Sequence, residues 1–112
     1  MTDSRFWELI EKINWPVDNI DETKAELLYD LNPNEVKEFQ NKAHSFRSKL
    51  NEKFDEDYKR LDDDEKFYVS GDGLDDCLYH VIGEGKGAFE FMLEHRNAII
   101  QKYKNDNYVE SL

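Results

Sequence analysis

Asn32-Pro33-Asn34-Glu35 is the stretch that most limits what this chain can become. Asparagine accepts the free amide hydrogens at a helix start, and proline suits the first helical position. Glutamate three residues after the cap closes a reciprocal bond to the cap's own amide. Downstream, Val36, Phe39, Ala43, Phe46, Leu50 and Phe54 recur at steps of three and four, the spacing that puts side chains on one helical face. No glycine or proline interrupts the run before Leu61. The expected element is one helix of roughly 25 residues with a narrow apolar stripe, against which shorter elements can pack.

The shorter elements also show helical spacing. Phe6, Trp7, Ile10 and Ile13 share one face of a first helix, with Asp3 or Ser4 placed to cap it. Trp15-Pro16 should end that helix, because the residue before a proline is pushed out of helical geometry. A second helix is expected from Asp18 or Asp21 to Leu31, burying Leu27, Leu28 and Leu31. Leu74, Cys77, Leu78, Val81 and Ile82 mark a fourth, ended by Gly83 or Gly85. A fifth covers residues 86 to 94 with Phe89, Met92 and Leu93 inward, and Ala98 to Tyr103 adds a last helix or turn. Phe67, Tyr68 and Val69 fit either a helix end or an extended connector. The expectation is an all-α fold: a single compact bundle of about five to six helices around one long central helix. It spans residues 1–104, with a polar tail at 105–112.

Charge narrows the function. The 112 residues carry 26 acidic and 15 basic side chains, a net charge of −11. Such a field repels phosphate backbones and anionic lipid, so no direct nucleic-acid or membrane binding is expected, and a basic protein partner is favoured. The opening MTDSRFWELIEK lacks the basic start and apolar run of a signal peptide. No segment is apolar enough to span a bilayer. A cytoplasmic location is the expectation.

The stretch FYVSGDGLDDCLYH, residues 67 to 80, gathers most of the residues that carry chemistry. Cys77 and His80 lie three apart, close enough on a helix for a thiolate–imidazole pair. Yet Cys77 also falls within the apolar stripe of its helix, where small buried cysteines are inert. One cysteine and three histidines are a poor supply of ligands for structural zinc. A calcium loop with Gly73 as its turn glycine would put Tyr68 and Tyr79 where carboxylates are required. Asp72 is better read as a helix cap, with Asp75 and Asp76 in the first turn complementing the helix dipole. GEGKG, residues 83 to 87, fails as a phosphate loop, since His80 stands where the first glycine belongs and Gly87 where Ser or Thr belongs. No cofactor and no metal are expected.

RFWELIEKI, LLYDLNPNEVKEFQNK and FYVSGDGLDDCLYHVIGEGKGAFEFML, in this order, resemble a bacterial domain-of-unknown-function family, number 4240. The resemblance runs from about residue 5 to residue 100. It rests on Phe6, Trp7 and Ile10, on Leu31, Pro33, Glu35 and Phe39, and on Asp72, Gly73, Ile82, Gly83 and Gly85. It implies an all-helical fold and a bacterial source, and it implies no activity or catalytic residue.

Between Glu52 and Glu65 there are eight acidic and three basic residues. That cluster, with its neighbouring tyrosines, is the expected partner-binding patch: Asp55, Glu56, Tyr58, Asp62, Asp63, Asp64, Glu65, Tyr68 and Asp72. The expected function is a non-enzymatic acidic binding module, an immunity-type inhibitor of a basic bacterial toxin such as a nuclease. The alternatives are a general adaptor or regulatory domain, in which the acids serve only solvation, and an enzyme using Cys77 and His80.

Overall fold

Asn32 starts a helix as its neighbours require. In the computed structural model, which describes residues 1–13 and 31–106, the Asn32 side chain accepts the Glu35 amide at 2.9 Å. Glu35 returns the bond, its carboxylate accepting the Asn32 amide at 3.4 Å. Five helices are present among the described residues: α1 (Asp3–Ile13), α2 (Pro33–Lys59), α3 (Gly71–Gly83), α4 (Lys86–Glu94) and α5 (Ala98–Asn105). No strand occurs among those residues. The expected second helix, its leucines 27 and 28, the Trp15-Pro16 stop, the Ile13 side chain and the tail from residue 107 lie outside the described residues. Leu31 is buried.

The 27-residue α2 is the spine, about 40 Å long at the usual helical rise. It ends at Lys59, two residues short of the expected Leu61. Its buried face follows the stripe read from the sequence, Val36, Phe39, Ala43, Phe46, Leu50 and Phe54, and adds Asp57. α1 covers the first half of that face. The fully buried Phe6 ring sits 4.9 Å from Phe39 and 5.2 Å from Phe46, centroid to centroid. At the rim the Met1 ammonium reaches Glu38 at 2.7 Å and Lys42 reaches Asp3 at 2.6 Å. Exposed pairs of this kind contribute little, so the rings hold α1 in place. Its cap is Thr2, whose hydroxyl accepts the Arg5 amide at 3.1 Å, in place of the expected Asp3 or Ser4.

α3 buries Leu74, Cys77, Leu78, Val81 and Ile82, as its periodicity requires. Ser70 caps it, the hydroxyl accepting the Gly73 amide at 3.3 Å, which corrects the expectation that Asp72 would. The reason is tertiary. The Ser70 amide donates to the hydroxyl of buried Tyr103 at 3.1 Å, and this fixes Ser70 as the last extended residue. Phe67 to Val69 form a connector that is neither helix nor strand. Gly85 joins α3 to α4 at a φ of 112°, a conformation open to glycine and strained for other residues. Asn97 enters α5 at a φ of 64°, the left-handed region that asparagine tolerates better than most residues.

Removing the first cap tests this account of α2. Asn32→Ala should lose about 1 kcal/mol of stability, the usual cost of a lost side-chain cap. Urea unfolding should show an unchanged slope and a lowered midpoint. An unmoved midpoint would mean that the capping box contributes nothing.

Candidate functional site

The acidic run divides into one internal carboxylate and a set of external ones. Asp57 follows Phe54 by three residues, so it occupies the next position of the apolar stripe and is fully buried. One of its oxygens accepts the Asn97 amide at 3.0 Å, and the other lies 3.3 Å from the Lys53 ammonium. Asn97 immediately precedes α5 and makes no side-chain cap of its own. Asp57 therefore supplies the negative acceptor that the N-terminus of α5 would otherwise lack. This role was not among the sequence expectations, although the three-residue step from Phe54 carried the signal.

The remaining acids face outward. Asp55, Glu56, Asp62, Asp63, Asp64, Glu65 and Asp72 are all exposed. Residues 62 to 66 form a tight turn: the Glu65 and Lys66 amides donate to the Asp62 carbonyl at 2.9 and 3.2 Å. The Glu65 carboxylate accepts the Asp62 amide at 3.3 Å, which closes the turn from the other side. The turn brings one oxygen each of Asp62, Asp64 and Glu65 within 4.8 Å of one another. Calcium takes about six to eight oxygens, so three exposed carboxylates fall well short of a built cation site.

The two tyrosines of the expected patch divide in the same way. Tyr58 is half-buried; its hydroxyl donates to the Phe67 carbonyl at 2.7 Å and its ring stacks on Phe54. Phe67 in turn stacks on Tyr103 at 5.8 Å. Tyr58 thus fastens the connector to α2, while Tyr68, 51% exposed, is left on the surface beside it. Lys66 lies 3.8 Å from Asp63 and 5.9 Å from the centre of the Tyr58 ring.

The residues weighed for catalysis occupy unlike environments. Cys77 is completely buried, and desolvation pushes its thiol from the ordinary 9.0 up to about 12, with Lys102 opposing the shift in part. Attack and metal ligation need the thiolate, which is scarce at neutral pH for such a group. His80, on the same helix, is exposed. Asp75 pairs with Arg47 at 3.0 Å, and Asp72 and Asp76 are on the surface. GEGKG is the joint between α3 and α4, with Lys86 3.8 Å from Glu90. Lys102 of α5 joins the end of α3 to the end of its own helix, 2.6 Å from Glu84 and 3.0 Å from Asp106.

One family model matches residues 1–111, in agreement with the resemblance carried by the Phe6-Trp7, Pro33-Glu35 and Ile82-Gly83 elements. No curated protein and no solved structure matches the chain.

The buried thiol makes stability depend on pH in the alkaline range. The raised folded-state pKa means the folded protein keeps a proton that the unfolded chain releases. The contribution is intact below the unfolded value, 9.0, and is lost as pH rises toward about 12. Wild-type stability should fall there more steeply than that of Cys77→Ala, by up to about 1.4 kcal/mol per pH unit. Denaturant midpoints measured across this window check the difference. Parallel curves for the two proteins would contradict the burial argument.

Proposed function

Because the chain belongs to the family described as "Protein of unknown function (DUF4240)", with no activity to inherit, we propose from its surface that it is a non-catalytic acidic binding module for a basic protein. More specifically, it acts as an immunity-type inhibitor of a basic bacterial toxin such as a nuclease. One observation carries the reading. Asp55, Glu56, Asp62, Asp63, Asp64 and Glu65 are exposed around the end of α2, on backbone secured from within by Asp57, Tyr58 and Tyr103. A nuclease presents positive charge to phosphates, and a rigid row of carboxylates is complementary to the same surface. Rigidity matters because it lowers the entropy lost when the surfaces meet. The burial of Cys77 supports the non-catalytic side of the proposal.

Neutralising Asp62, Asp63 and Asp64 together with asparagine should slow association with the basic toxin. The expected loss is roughly tenfold at low salt, with a flatter dependence on ionic strength and a smaller change in dissociation. Stopped-flow kinetics at two salt concentrations measure all three. Unchanged rates would remove electrostatic capture and favour an adaptor whose acids serve only solvation.

A further inference from the structure

Towards the middle of α2, α1 and α4 flank the helix and leave a groove of about 480 Å³, within the range of roughly 300–1,000 Å³ usual for ligand sites. Its floor is an aromatic cluster. The Trp7 ring lies 5.0 Å from Phe46 and 5.5 Å from Phe89, and Phe46 and Phe89 are 5.0 Å apart. All three are more than nine-tenths buried, so they present a narrow apolar strip. Around the strip stand Asp3, Glu8, Glu11 and Glu90 against two lysines, Lys49 and Lys86. Asp3 is held by Lys42 and Glu90 by Lys86, whereas among the described residues Glu8 has only the half-exposed Arg5, at 3.7 Å. Glu11 is exposed and has no ion pair among the described residues. The cluster already attracts a cation: the Lys49 ammonium lies 5.4 Å from the centre of the Phe46 ring.

An apolar strip bordered by carboxylates that the other described residues under-compensate matches a side chain with an apolar stem and a cationic head. We propose that this groove anchors one arginine of a basic protein segment, its methylenes on the ring strip and its guanidinium on Glu8 and Glu11. Arginine fits better than lysine because its planar head engages carboxylates in pairs, is weakly hydrated and stacks on rings. The inference rests on the proposed capture of a basic protein and adds the place where that partner is gripped. The groove also leads toward the acidic end. Lys49 lines both it and a second depression of about 350 Å³ with Glu52, Lys53, Glu56 and Leu93. From Phe46 to the end of α2 is about 20 Å, a distance that about six extended residues span. One basic segment can therefore reach both regions.

The test uses the full chain and a capped Gly-Arg-Gly peptide, followed by the NMR shift of the Trp7 indole N–H. A saturable shift is expected, absent with the citrulline peptide, which keeps the shape and lacks the charge. Affinity should drop roughly tenfold in Glu8→Gln/Glu11→Gln and stay unchanged in Asp76→Asn, an exposed acid of α3 outside both regions. No saturable shift, equal binding of citrulline, or an equal loss in Asp76→Asn would each overturn the anchor. Should the groove ignore the peptide while the Asp62→Asn/Asp63→Asn/Asp64→Asn variant still slows toxin capture, the anchor falls and the electrostatic reading stands.

Discussion

The Asp57 carboxylate joins the end of α2 to the start of α5, taking the Asn97 amide on one oxygen and facing Lys53 with the other. Other contacts at this end converge on the same joint. Tyr103, one turn and a half into α5, packs against Phe54 and Phe67 and accepts the Ser70 amide. Ser70 then fixes where α3 begins. If Asp57 did not hold the residue just before α5, Tyr103 would lose its register against α2 and the connector would lose its anchor. A buried carboxylate with a satisfied amide and a nearby ammonium is costly to disrupt, because removing one partner strands the others.

That arrangement explains how so acidic a chain keeps a defined shape at the end where like charges crowd. Repulsion among surface carboxylates favours expansion. Here it is opposed from inside, by rings and hydrogen bonds that belong to the same residues' neighbours. Asp57 lies between Glu56 and Tyr58, and Tyr58 is bonded to the connector that carries Tyr68. The alternation of inward and outward positions on a helix lets one acidic stretch serve both as support and as display.

Much of this was legible residue by residue, for physical reasons that differ. The capping box at Asn32 and the stripe to Phe54 are local, so spacing alone announces them. The inward direction of Cys77 follows from the same rule, and its high pKa from the burial. Asp57 sat at a core spacing, but carboxylates are so seldom fully buried that residue type argued for the surface. Ser70 outcompeted Asp72 as the cap through a bond to Tyr103, 33 residues away, which no local preference encodes. The aromatic groove was invisible for a similar reason. Trp7, Phe46 and Phe89 come from three helices, and periodicity says which face is apolar without saying which faces meet.

The central claim is that one acid in this run is structural while its neighbours face solvent. Single alanine substitutions at Asp55, Asp57, Asp62, Asp63 and Asp64, each followed by urea unfolding, test it most directly. Asp57→Ala should lose about 2–3 kcal/mol, as expected for a buried carboxylate whose partners are left unpaired. The four exposed positions should stay within about 0.5 kcal/mol of wild type. Equal losses across all five, or a neutral Asp57→Ala, would contradict the division on which the account is built.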